Sequence, residues 1–192
     1  GCKLRDSKAH GVHVQGGQGL RLSKCTVSGN ALSGALLDGG DASFHDTAFY
    51  RGKGTGVHAA NHARGVFTQC RWEANIGEGI LVTEHATPRF EECTVSESGD
   101  AGVVTRDWGQ GLFLNMTIES NLGHGAVVSA QAAPRFVGCE VRDNGQSGLF
   151  WFDEGHGELL RSLVANNTGP GIMVTSGGDP AVHETELRGN RA

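Results

Sequence analysis

Residues 79–101 read GILVTEHATPRFEECTVSESGDA, and residues 125–147 read GAVVSAQAAPRFVGCEVRDNGQS. The two stretches begin 46 residues apart and carry apolar, proline and cysteine positions in the same order. A sequence that recurs at a fixed interval builds one structural unit repeatedly, which limits the fold more than any single motif does. Cutting before each recurring Gly-apolar pair gives eight units, starting at Gly11, Gly34, Gly56, Gly79, Gly102, Gly125, Gly148 and Gly171. Every step is 23 residues except the one from Gly34 to Gly56, which is 22, so the second unit has lost one residue. Residues 1–10 match the tail of a further unit. The expectation is a single domain over residues 1–192 that is a piece of a longer protein.

Counted from its glycine, each unit holds three short alternating segments. The second and fourth positions are mostly apolar, as in Val12/Val14, Ile80/Val82, Ala126/Val128 and Leu149/Trp151. Alternation with period 2 marks a strand. Allowing for the lost residue, the twelfth position reads Leu22, Phe44, Phe67, Phe90, Phe113, Phe136, Leu159, Val182. The seventeenth reads Leu4, Val27, Phe49, Trp72, Val95, Ile118, Val141, Val164, Leu187 through successive units. No segment keeps helical spacing over three turns. Three short strands per unit, with like residues recurring at like positions, predict an all-β right-handed parallel β-helix of about eight coils, one per unit. Coils spaced like neighbouring strands would make a rod roughly 40 Å long. One coil cannot bury its own core, but stacked neighbours close it from above and below.

Two further columns support this register. The twentieth position is Asn in six units, at Asn30, Asn75, Asn121, Asn144, Asn167 and Asn190. Asn tolerates a tight turn and can bond main-chain groups of the coil beside it. The tenth position alternates through Gly65, Pro88, Gly111, Pro134, Gly157 and Pro180, so the coil sits inside a 46-residue double repeat. Proline fits there where the ladder does not need its N–H, as at the first residue of a strand.

Composition narrows the partners. The chain has 31 glycines against 4 prolines, which suits many turns, and a formal net charge of −5. No basic patch is present to release counterions, which argues against nucleic acid or an anionic membrane surface. No apolar run approaches the ~20 residues of a membrane-spanning helix.

The units GQGLRLSKCTVSGN, RGVFTQCRWEAN, ATPRFEECTVSES and AAPRFVGCEVRDN resemble the parallel β-helix repeats of the CASH, or pectin-lyase-like, family of carbohydrate-binding proteins and sugar hydrolases. The Gly/Pro alternation is most similar to the β-helix of F-box ubiquitin-ligase subunits and their bacterial relatives. The resemblance covers the whole chain. It implies the fold, and it leaves activity open, because the family holds both enzymes and non-catalytic scaffolds.

Several clusters then compete as sites. Cys2, Cys25, Cys70, Cys93 and Cys139 all fall in the fifteenth column and read as small apolar core residues. Stacked Cβ atoms pointing the same way suit a disulfide poorly. The odd cysteine count without a secretory pairing pattern suggests a reducing compartment, hence a cytoplasmic location. The GHG triplets at 123–125 and 155–157 resemble a polygalacturonase signature, but the acidic motifs that accompany it there are missing. GKGTG at 52–56 has no helix after it and is not a phosphate loop.

One richer cluster lies in the turn after the first strand of each unit. His62, His85 and Trp108 occupy its seventh position in three successive coils, beside Glu84, Arg106 and Asp107. Stacked imidazoles, carboxylates and an indole could hold a sugar or a metal, though His62 and His85 alone are one ligand short of a catalytic zinc site. A charged face around the phenylalanine strand, with Arg89, Glu91, Glu92, Arg135, Glu158, Arg161, His45 and Asp46, is a second sugar-type candidate. The third position should point outward, yet it carries Leu36, Leu81, Val104, Val127, Phe150 and Met173. An outward apolar stripe usually marks a contact surface. The leading expectation is therefore a non-catalytic scaffold that binds another protein or a neighbouring domain, or itself, through this stripe, without cofactor or metal. The alternative is a carbohydrate-binding or polysaccharide-cleaving β-helix protein.

Overall fold

A computed structural model of the chain, describing residues 1–191, is an all-β right-handed parallel solenoid of about eight coils. Twenty-five strands of three to six residues form three parallel sheets of nine, eight and eight strands among the described residues. The first sheet runs from Lys3–Arg5 to Glu186–Arg188, the second from Val12–Gln15 to Ile172–Val174, and the third from Gln18–Ser23 to Asp179–His183. Each coil crosses the second, third and first sheets in that order. Paired residues are one unit apart, as in Val103 with Ala126, Phe90 with Phe113 and Val95 with Ile118.

The core follows from the inward columns. Phe44, Phe67, Phe90, Phe113 and Phe136 stack face to face, with centroids 4.7, 4.8, 5.0 and 4.7 Å apart. Coil spacing sets this parallel stacking, with neighbouring ring planes 2°, 10°, 2° and 11° apart. Phe49 and Trp72 make a second stack at 5.5 Å and meet the first edge to face. All seven rings are fully buried. The five cysteines are free, and all but Cys2 are buried.

Left-handed residues make all three corners. One non-glycine example, Glu92 at φ 53°, closes the corner from third to first sheet, and Asn166 at 56° lies just after a first-sheet strand. The corner between the second and third sheets uses a consecutive pair: Asn61–His62, Glu84–His85, Asp107–Trp108, Ala130–Gln131 and Asp153–Glu154 all have positive φ. The Asn column fixes the remaining turn from inside. Asn144 is fully buried; its Oδ1 accepts from the backbone N–H of Asn121 and its Nδ2 donates to Ile118 O. The repeating glycine is demanded by contact: a Cβ on Gly125 would sit 2.4 Å from Val141 Cγ1 and 2.5 Å from Gly148 O.

The lost residue can be placed. In the second sheet, Asp38 pairs with Ala60, 22 residues on; in the third, Ser43 pairs with Val66, 23 residues on. The offset changes at Gly39–Asp41. There Gly39 alone has positive φ, at 66°, where other coils have a left-handed pair. The missing position is the seventh, the one occupied by His62 in the next coil.

Candidate functional site

The corner between the second and third sheets turns the seventh-position side chains out of the rod, one above another. The rings of His62 and His85 stack at 5.2 Å and 8°, and those of His85 and Trp108 at 5.4 Å and 16°. All three rings belong to exposed residues. The left-handed pair sets this geometry: φ is 62°, 59° and 59° at the three ring positions, so each side chain leaves the backbone in the same direction. Arg106 is paired to Asp107 at 2.7 Å on the rim, Glu84 is exposed, and Asn61 Nδ2 donates to Asp38 Oδ1 at 3.2 Å. The structure thus brings together the cluster expected at this turn.

Both ends of this three-ring ladder are open. Below His62, the coil of Gly39 lacks the seventh position, and the coil beneath has Gly17, where an added Cβ would meet nothing within 4 Å. The resulting depression, about 310 Å³, is lined by Gly17, Gly39, Asp41, His62 and Arg64. A second depression of about 340 Å³ lies on the outer face of the third sheet, lined by Leu20, Arg21, Asp41, Ser43, Arg64 and Val66 among others. The two share Asp41 and Arg64 in their linings, so the hollow at the ring ladder and the hollow on that sheet adjoin at these residues. Asp41 is fixed there by the backbone N–H of Arg64, 3.2 Å from Oδ1. Among the described residues, neither Arg21 nor Arg64 is in an ion pair.

Sequence reasoning missed Arg21, Asp41 and Arg64. They come from three different coils, and only the register shift at Gly39–Asp41 sets them around one hollow. The count of 22 was the available signal, but it did not say at which corner the residue was lost.

The other candidates fare differently. On the charged face, Arg89 is paired with Glu91 at 3.0 Å and Arg135 with Glu158 at 2.7 Å, so these guanidiniums are already engaged. No three His, Cys, Asp or Glu side chains are grouped to hold a metal ion among the described residues. The two GHG triplets are unlike: His124 is half-buried and its Nδ1 accepts from Ser147 N, while His156 is exposed. The apolar stripe is an outward column, but it is largely covered. Leu81 is 7% exposed, Leu36, Val104, Val127 and Phe150 are half-buried, and only Met173 counts as exposed. His58 bonds Thr83 Oγ1 at 3.0 Å on this face, and Phe150 stacks on Phe152 and meets His124. Burial holds the His58 imidazole below its ordinary pKa.

Comparison with known proteins adds to this. A family model described as right handed beta helix region matches residues 33–192. No curated protein matches the sequence. Among solved structures, the A-module of mannuronan C-5 epimerase AlgE4 from Azotobacter vinelandii is similar with a TM-score of 0.72 and 15% identity, over 98% of this chain and 62% of that one. The AlgE6 A-module from the same organism gives a TM-score of 0.70 and 14% identity, over 96% and 57%. Pectate lyase Pel9A gives 0.62 and 15%, over 84% and 55%. The chain spans less than two thirds of each of these structures, and at such identities the likeness is one of fold. It corrects the leading expectation nonetheless. These three structures carry the names of mannuronan epimerases and a pectate lyase, which favours the carbohydrate reading over a non-catalytic protein-binding scaffold.

Proposed function

We propose that this chain, which belongs to the right-handed β-helix family, is a carbohydrate-binding solenoid that holds an acidic glycan in the groove between His62 and Arg21. The observation that carries this is that Asp41 and Arg64 line both the hollow under His62 and the hollow on the third sheet, so the two adjoin. The open ring face of His62 offers a platform for the C–H face of a pyranose. Asp41 accepts from a hydroxyl. Arg21 and Arg64 have no internal ion pair among the described residues, and a planar guanidinium matches a carboxylate with two parallel hydrogen bonds. The structures named for mannuronan and pectate supply the ligand class; the two guanidiniums supply its charge.

Titration calorimetry with tetramers of galacturonate and of mannuronate tests this, with maltotetraose as the neutral reference. Arg64→Ala should weaken acidic binding about tenfold or more, the scale of a lost charge-assisted pair, without changing thermal stability. Raising the salt concentration should weaken it too. Absence of heat and of competition from any acidic tetramer at millimolar concentration would remove the reading.

A further inference from the structure

The ring ladder has a second open end, with the opposite charge. Trp108 rests one face of its indole on His85 and is 48% exposed. The seventh position in the next coil is Gln131, whose Nε2 donates to Glu154 Oε2 at 2.9 Å, one coil further on. That hydrogen bond ties the amide to the coil beyond, on the side away from the coil of Trp108. A gap of about 190 Å³ remains, lined by Asp107, Trp108, Ala130, Gln131, Asp153 and Glu154. The backbone at Gln131, with φ of 59°, has the conformation that carries rings at His85 and Trp108, so the gap stands where a fourth rung would be.

We propose that this gap is a second sugar subsite, which takes an uncharged hexopyranose unit as the missing rung. It rests on the carbohydrate reading above and adds a site that the acidic groove does not include. A pyranose presents C–H groups on one face and hydroxyl donors around its edge. The indole supports the face, as aromatic platforms do for amphipathic ligands. The edge meets three carboxylates, of Asp107, Asp153 and Glu154, and one amide whose N–H is already directed at Glu154. The surroundings therefore accept hydrogen bonds far more than they donate them. A uronate would bring its own carboxylate among three others, and the neighbouring Arg106 guanidinium is already paired to Asp107. The ladder thus separates two ligand chemistries: anionic units below His62, neutral units above Trp108.

Intrinsic fluorescence isolates the site. Trp72 and Trp151 are fully buried, so emission quenched by acrylamide belongs to Trp108. Neutral tetraoses of glucose, mannose and galactose are the probes, with tetragalacturonate as the acidic one. At least one neutral tetraose should lower the quenching slope about twofold, as stacking removes most of the exposed indole surface from solvent. Gln131→Phe should fill the gap with a ring, keep the thermal midpoint, and abolish that protection. Trp108→His, which repeats the rung beneath it, should weaken neutral binding in calorimetry while leaving acidic binding intact. Arg64→Ala should leave the protection of Trp108 unchanged. The proposal is overturned if no neutral tetraose protects Trp108, if tetragalacturonate protects it equally, or if protection survives Gln131→Phe. Acidic binding that depends on Arg64 without any protection of Trp108 would sink this subsite and spare the groove; loss of both would sink the carbohydrate reading itself.

Discussion

The side-chain oxygen of Asn144 accepts two hydrogen bonds from Asn121, one from its backbone N–H at 3.1 Å and one from Nδ2 at 2.9 Å. Asn167 does the same for Asn144, and Asn190 for Asn167. The ladder satisfies a backbone donor that no sheet reaches, at a corner where the chain has just left the first sheet. Buried amides that are unpaired cost stability, so the column is a device for turning tightly without orphaned donors.

Removing one rung should show this. Asn144→Ala strands the N–H and the Nδ2 of Asn121 inside the rod and deletes the bond to Ile118 O. A loss of about 2–4 kcal/mol in urea unfolding is expected, from the cost of buried unsatisfied groups. A change within about 0.5 kcal/mol would place the column in solvent, where surface substitutions fall.

The fold was legible because the repeat makes one physical requirement visible many times. Phe67 alone says little; Phe44, Phe67, Phe90, Phe113 and Phe136 at a fixed interval say that something stacks. The ring cluster of His62, His85 and Trp108 was legible for the same reason. The cover over the outward stripe was not legible, because period 2 tells which side a residue faces and nothing about lateral cover. Leu81 faces out and is still buried, beneath groups such as the His58–Thr83 pair. The groove of Arg21, Asp41 and Arg64 was hidden because it exists only through a register shift. Likewise, nothing in the residue types of Glu84–His85 or Asp107–Trp108 announces two consecutive left-handed residues. Bulky side chains there are uncommon, and the stacked coils hold them in place.

The two faces of the second sheet should answer to charge differently. Val103 and Val128 are fully buried and point into the core, whereas Val104 and Val127 are half-buried and point away from it. Lysine at both 103 and 128 should abolish folding, since two ammonium groups without partners would be buried. Lysine at both 104 and 127 should leave the β spectrum intact with a lower midpoint, because long stems can reach solvent from a partly covered site. Unfolding of the second variant to the same degree as the first would contradict the assigned facing.

The thiols should separate by burial. Cys2 is exposed, and Cys25, Cys70, Cys93 and Cys139 are buried. Burial pushes the Cys139 thiol up to about 11, so little thiolate exists at neutral pH. A thiol-specific reagent at pH 8 should label Cys2 quickly and the other four only after denaturant is added. Rapid labelling of Cys139 in the native protein would contradict its place in the core column.

Acid should weaken the rod before its carboxylates titrate. Burial is the main cause holding His10, His58 and His124 below the ordinary 6.5. Nδ1 of His10 and of His124 each accept a backbone N–H, from Ser33 and Ser147, which a protonated ring cannot do. Between the lowered folded value and 6.5 the unfolded chain binds more protons, so stability rises with pH. The contribution is complete above 6.5 and is lost as pH falls through the folded values. Thermal midpoints should therefore decline from pH 7 to pH 5, and His124→Gln should flatten part of that slope. A midpoint constant over this range would contradict neutral, half-buried rings at these positions.

The last expectation concerns the hollow that the lost residue leaves. Gly17 occupies the seventh position of the first full coil with φ of 71°, and an added Cβ there would touch nothing within 4 Å. His62, His85 and Trp108 carry aromatic rings at the same position with φ near that value. Gly17→Trp should then be tolerated, at a cost of about 1 kcal/mol or so for a non-glycine residue in the left-handed region. Its indole would lie across the hollow bounded by Gly39, Asp41, His62 and Arg64. Acidic tetrasaccharide binding should fall about tenfold or more if the ligand's ring uses the open face of His62, a loss comparable to that of a stacking contact. Binding at the Trp108 end, three coils above His62's missing partner, should be untouched. If Gly17→Trp folds normally and acidic glycans bind as before, the ligand does not enter the hollow, and the guanidiniums of Arg21 and Arg64 hold it from the open face of the third sheet alone.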